Sequence, residues 1–249
     1  MAPLSLAGTV LQPHVGIDYS VFPLVMLGPA IAALICVIAV PRWFPPPTPH
    51  APRRTFGRSV LVATAASMVF VAVLIAIAGV RDPILPEGWP AWAGVIAVAV
   101  GLTLGSWFEE VGYRGVLYRA FVARFSVVTS IVVNGVFFGL CHLQYFSAGP
   151  LPVVLFLIGT VAMDVVMVAS WAGSWPQRVA VATGVHAVVN VSMQYVGVAG
   201  DRPRDFVALA VALLLAAVVA VPLGRRLGVG DLRRGSTSPT TTAPTAPAA

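Results

Sequence analysis

The residues able to do acid–base chemistry in this chain sit in four short places. Glu109 and Glu110 stand side by side in Trp107-Phe108-Glu109-Glu110-Val111-Gly112-Tyr113-Arg114. His142 closes Phe138-Gly139-Leu140-Cys141-His142, His186 opens His186-Ala187-Val188-Val189-Asn190, and Asp164 stands alone in an apolar run. On a helix, Glu110 and Arg114 are four residues apart and share a face, so they can pair. Glu109 points about 100° away from Glu110 and is left to face a different neighbour. Two adjacent carboxylates repel, and burial disfavours the charged form of whichever lacks a cation. Glu109 therefore reads as the working base, able to take a proton from water, with Glu110 and Arg114 as a neutralising pair. Asn134, Phe138 and His142 fall at i, i+4 and i+8, and His186 and Asn190 at i, i+4.

A carboxylate, two imidazoles and an amide converging in one wet pocket suit hydrolysis of an amide bond. Glu109 with His142 would activate water, while His186 and Asn190 would donate hydrogen bonds to the developing oxyanion. Residue spacing leaves a second version open, a zinc ion held by Glu109, His142 and His186 with water as the fourth ligand. The short His-Glu-x-x-His zinc motif is absent. Asp164 could line the pocket or serve as a lone donor between helices.

The elements that must position these groups are membrane helices. Hydrophobic residues make up 58% of the 249, and Asp, Glu, Lys and Arg only 10%. A soluble domain carries roughly 25% charged residues, and so few charges cannot cover a water-soluble globule of this size. The same apolar content excludes disorder of the whole chain. The 15 Arg are scattered rather than massed, which argues against a nucleic-acid partner. Crossing the hydrocarbon takes about 20 mainly apolar residues. Candidate spans are Val21–Val40, Val60–Val80, Ala91–Phe108, Val127–Leu143, Leu151–Trp171, Val179–Val198 and Phe206–Leu223. The expected fold class is all-α, a polytopic membrane helix bundle of about seven transmembrane helices. Cys36 and Cys141 read as buried small hydrophobes, and His14 and His50 as solvated loop residues.

A turn near Phe125 would make the third and fourth spans an antiparallel hairpin. Glu109 lies sixteen residues before it and His142 seventeen after, so equal arms bring the two to the same depth. Gly101 with Gly105, and Gly135 with Gly139, would let those two helices approach closely. Of the 15 Arg, Arg114 lies inside a span; eleven flank one side of the bundle and Arg81, Arg202 and Arg204 the other. The positive-inside rule then places the N-terminus outside and the C-terminus in the cytoplasm. His186, eight residues past Arg178, would lie in the cytoplasmic half.

Taken together, the three stretches resemble the CPBP family of intramembrane proteases, which includes the type II CAAX prenyl endopeptidases and is also called the Abi family. The family pattern is Glu-Glu-x-x-x-Arg, Phe-x-x-x-His and His-x-x-x-Asn/Asp on successive membrane helices. The matches are Glu109-Glu110 with Arg114, Phe138 with His142, and His186 with Asn190, in that order. The resemblance implies that Glu109 is the general base, His142 its partner and His186 with Asn190 the oxyanion pair. It makes Glu110, Arg114 and Phe138 accessory motif positions. It implies a membrane-embedded peptide or protein substrate and either metal-free or zinc-dependent hydrolysis. Ala-rich and Val-rich helices without Lys suggest a GC-rich bacterial genome, hence a bacterial cytoplasmic membrane and a substrate that need not be prenylated.

The expected organisation is an extracytoplasmic segment over 1–19, two N-terminal spans and loops over 20–90, and a catalytic core over 91–198. A last span with a basic cytoplasmic end covers 199–234, and a Ser/Thr/Pro/Ala tail, expected to be disordered, covers 235–249. The alternative from a different class is a non-catalytic membrane immunity or scaffold protein, or a proton-coupled carrier using Glu109 and His142 as a relay.

Overall fold

The computed structural model describes residues 1–196 and 202–233. The described residues form helices and connecting turns. The helices are α1 (Ala2–Leu11), α2 (Leu27–Ala39), α3 (Arg53–Ala78), α4 (Ala91–Glu110), α5 (Tyr118–Val122), α6 (Val127–Leu140), α7 (Pro150–Ser170), α8 (Trp175–Val196) and α9 (Pro203–Leu227). The tail expected over 235–249 lies outside the described residues.

Helix limits follow from residues that start or stop a helix. Proline stands at the first position of α7 and α9 and just before the first residue of α3 and α4, where its missing N–H costs no hydrogen bond. Ser126 caps α6, its hydroxyl accepting from the Thr129 amide at 3.1 Å. Gly228, at φ +71°, ends α9 in the left-handed conformation that glycine adopts without strain.

Four helices are long and apolar enough to cross a membrane: Arg53–Ala78, Ala91–Val122, Pro150–Ser170 and Pro203–Leu227. The second includes α4, α5 and the turn that joins them. Two apolar helices are shorter, Leu24–Ala39 and Val127–Leu140. α8 has 22 residues but carries Gln177, Arg178, His186, Asn190 and Gln194. Large apolar side chains such as Leu34, Ile38, Met68, Trp92 and Val128 point away from the bundle. Such exposure suits lipid rather than water. The chain is an integral membrane protein.

The core sits where α3, α7 and α9 pack together. α9 presents Ala208, Ala212, Ala216 and Ala220 to it, all buried at four-residue steps. Without a hydrophobic drive between helices in lipid, such small residues gain stability by letting backbones approach and make van der Waals contact.

Several expectations need correction. The first nineteen residues are not a simple extension: α1 packs on α2, and Gly28 is tight enough that a Cβ would strike Ser5. The first span is shortened at both ends, its helical part starting at Leu24 after Pro23. α6 stops at Leu140, so His142 lies in the turn beyond it. The two glycine pairs serve other neighbours than each other's helices. A Cβ on Gly101 or Gly105 would meet Val21 or Met26, and one on Gly135 or Gly139 would meet Val161 or Leu157 of α7. Asp205 and Asp231, outside the candidate spans, are buried ion partners of Arg81 and Arg178. Arg178, one residue before a candidate span, is buried like Arg114. His50 bonds the Ser174 hydroxyl at 3.0 Å rather than standing free in a loop.

These contacts define the two ends of the bundle. At one end Arg124 donates to the Trp43 carbonyl, Arg119 to Pro45, Arg58 to Leu227 and Arg178 to Asp231. At the other, Arg81 pairs with Asp205 at 3.3 Å, its amide bonds the Tyr195 carbonyl, and Gln194 donates to Ile84.

Candidate active site

α4 delivers Glu109 and Glu110 as its last two residues. The chain then widens into a π-helical turn over Val111–Leu117 before α5 resumes the ordinary pitch. That turn is the local surprise of the segment; single π turns inside α-helices are rare and cluster at functional sites. It carries Arg114 inward. Nη1 of Arg114 donates to Oε1 of Glu110 at 2.7 Å, the expected i, i+4 pair.

Asp164 resolves as part of this network. Nε of Arg114 donates to Oδ1 of Asp164 at 2.7 Å, and Nδ2 of Asn134 to Oδ2 at 2.8 Å. Arg114 is therefore held between two carboxylates, one from its own helix and one from α7. All four side chains are fully buried or nearly so. Burying charges costs several kcal/mol per ion unless partners replace water, and here each ion has at least two.

The network continues to α8. Nδ1 of His186 lies 2.8 Å from the same Oε1 of Glu110, and Nε2 lies 3.5 Å from Oε2 of Glu109. A continuous polar path thus runs Asn134, Asp164, Arg114, Glu110, His186, Glu109. Asn190, one turn beyond His186, donates from Nδ2 to the Ser106 hydroxyl at 3.0 Å, and that hydroxyl donates to the Leu102 carbonyl at 2.7 Å.

Phe138 wedges these groups apart. Its ring lies 4.6 Å from the Arg114 guanidinium, edge-on to His186 and to Tyr113, and 4.6 Å from the His142 ring. Nδ1 of His142 is 2.8 Å from the Phe138 carbonyl. A carbonyl only accepts, so Nδ1 carries the proton and Nε2 is the basic nitrogen of the neutral ring.

A cavity of about 350 Å³ is lined by Glu109, His142 and Asn190 together with Tyr19, Cys141 and Tyr145. His186 does not line it; it borders a space of about 40 Å³ behind, shared with Phe138, His142 and Asn190. The cavity also touches Ile84, Gln144 and Gln194, and Gln194 donates to the Ile84 carbonyl near the end where Arg81 meets Asp205. Arg178 is eight residues before His186, but Tyr195, at the other end, is only nine after it. The Arg-rich end is closed by the docked 41–52 loop and by Asp231.

Three contributors were not singled out from sequence. Ser106 lies one turn before Glu110, and that i, i+4 relation was the available signal. Tyr145 stacks parallel to His142, ring centres 6.1 Å apart, three residues past the motif's end. Tyr19 comes from the N-terminal segment and had no signal. Burial pushes the Tyr145 phenol up to about 12, and burial with the nearby Glu109 carboxylate raises that of Tyr19. Both phenols are hydrogen-bond donors at neutral pH. Among the described residues, no group of three His, Cys, Asp or Glu side chains is placed to hold a metal ion. Nδ1 of His186 faces Glu110 and Nε2 faces Glu109.

Comparison with the curated proteins gives no match. Residues 88–192 match the family model described as type II CAAX prenyl endopeptidase, Rce1-like. Those residues supply every member of the polar path, along with Ser106, His142 and Asn190. The segment that builds this site is similar to the Rce1-like family over those residues, the family its three motifs resemble.

Proposed function

We propose that the protein is an intramembrane endopeptidase that hydrolyses a peptide bond of a membrane-associated protein or peptide through water activated by Glu109. The observation that carries this reading is the shared cavity, where a carboxylate from α4, an imidazole from the turn after α6 and a carboxamide from α8 face one space. Glu109 takes a proton from water as the water oxygen adds to the scissile carbonyl. Nε2 of His142 orients that water and relays the proton to the departing amine. Nδ2 of Asn190 turns from Ser106 to donate to the oxyanion, with His186 as second donor. Glu110, Arg114 and Phe138 hold His186 and Glu109 in register, with Asp164 and Asn134 behind them.

The bundle is read as seven membrane helices: the four long ones, the two shorter apolar ones and α8. The N-terminus is placed outside and the C-terminus in the cytoplasm of a bacterial membrane, with 91–198 as the catalytic core. The 1–19 and 20–90 segments precede it, and the 199–234 and 235–249 segments follow.

Glu109→Gln keeps the shape of the side chain and removes the base. Cleavage is expected to fall by roughly 10²–10⁴, and His142→Ala by a comparable factor, at unchanged expression. Comparing membrane peptides from cells with wild-type and Glu109→Gln protein would show the uncut substrate accumulating. Full activity in both variants would leave the immunity, scaffold or carrier reading standing instead. A chelator on the purified protein is expected to leave cleavage intact; loss restored by added zinc would favour the metal version.

A further inference from the structure

We propose that the cleft between α3 and α8 holds one acyl chain of an anionic phospholipid, with the lipid phosphate on Arg53 and Arg54. This site lies apart from the catalytic cavity and does not depend on the protease reading. The cleft encloses about 680 Å³, walled by α3 from Phe56 to Ala72 and by α8 from Ala180 to Val188. Oε1 of Gln177 accepts from the Ala51 amide, and Nε2 donates to the Ala51 carbonyl. The starts of α3 and α8 therefore lie together, and the cleft runs along both helices from that end. Its floor is buried at Ala63, Val181 and Val185, while Val60, Thr64, Met68 and Gly184 on its rim are exposed. A Cβ on Gly184 would meet nothing within 4 Å. In an integral membrane protein such a rim faces lipid, and an unfilled cleft forfeits van der Waals contacts along both walls.

Width selects the chain. Phe56 and Ala72 are about 24 Å apart along α3, so the volume corresponds to a channel about 6 Å wide. A helix from a partner or a second copy is about 10–12 Å across and does not fit, whereas an extended hydrocarbon chain does. Charge selects the head. α3 begins with Arg53 and Arg54, with no acid in its first turn and no side chain capping its first amides. The helix dipole therefore adds to the two cations rather than offsetting them. Both are exposed, and neither has a partner among the described residues. At about 100° per residue, Arg53 shares the face of Val60, Thr64 and Val71, which line the cleft, and stands one turn before Phe56. Basic groups beside membrane helices take lipid phosphates, and free amides at a helix start donate to the same group. A chain seated here braces α8, which carries His186 and Asn190 away from the cleft.

The test uses the full chain, stripped of lipid in detergent, with phosphatidylglycerol or phosphatidylcholine of identical acyl chains added back. Native mass spectrometry is expected to show one phosphatidylglycerol retained, preferred over phosphatidylcholine by roughly tenfold or more, the effect of two cations at a lipid surface. Arg53→Gln with Arg54→Gln should retain the two lipids equally. Gly184→Leu fills the middle of the cleft from α8, and Thr64→Leu fills it from α3. Both are expected to lose the retained lipid while melting like the wild type before lipid is added. Retention of neither lipid by the wild type, equal retention of both, or undiminished retention by both filled variants overturns the inference. A dimer mass lost in Gly184→Leu would put a second copy in the cleft and overturns it as well. Peptide cleavage enters none of these readouts, so failure of the protease reading leaves them unchanged.

Discussion

Asn190, the proposed oxyanion donor, is held in place without being consumed by the scaffold. Its amide donates to a serine hydroxyl that is itself committed to the Leu102 carbonyl, and the same carboxamide borders the cavity. Exchanging one neutral hydrogen bond for a charge-assisted one to an oxyanion is favourable, because bonds to charged groups are roughly twice as strong. Asn190→Ala is therefore expected to lower kcat by about 10²–10³ with little change in KM, the usual cost of one oxyanion donor. Ser106→Ala should cost far less, since it removes the resting partner and not the donor. Equal losses in both would assign Asn190 to structure. Sequence spacing found the Glu110–Arg114 pair and the shared face of His186 and Asn190, because both depend only on helical periodicity. It could not find Asp164's partner, which comes from a helix fifty residues away, nor the choice of Glu110 over the cavity by His186.

At the scale of the element, helix existence was legible and helix ends and neighbours were less so. Apolar runs bounded by Pro45-Pro46-Pro47, Pro83, Pro150 and Pro203 mark where helices stop and start. The shortening of α6 to Leu140 was not marked, because Cys141 and His142 continue a helical pattern. Glycine spacing announced close packing but not its partner. Gly135 lies against the Val161 backbone of α7, and a Cβ there would sit within 3.0 Å of it. Gly184 on α8 has open space in the same sense. Gly135→Val is expected to separate α6 from α7, pull Asn134 from Asp164, and lower the melting temperature by several degrees. Gly184→Val, with no neighbour to strike, should leave the melting temperature nearly unchanged. Thermal melts of the two purified variants compare a close approach with a free surface on equivalent substitutions.

At the scale of the molecule, few charges are left to lipid or water by chance, and the buried ones lock ends together. Arg178 is enclosed by the Trp171 and Trp175 rings, donates from Nε to the Gly173 carbonyl at 2.9 Å, and pairs with Asp231 beyond α9. It thereby fastens the chain after the last helix to the turn before α8, the helix that carries His186 and Asn190. A buried pair adds little over a well-packed apolar substitute, whereas removal of one partner strands a charge. Asp231→Ala is thus expected to destabilise the protein by about 3–5 kcal/mol, while Arg178→Met with Asp231→Leu should recover most of that loss. Both are read as melting temperature of the purified protein in one detergent. If the single variant costs nothing, the Arg178 side chain reaches water by another path and the end is not locked. If the double variant is as unstable as the single, the pair holds the fold by its hydrogen-bond geometry rather than by compensated charge. Recovery would show that this end of the bundle needs closure, not charge.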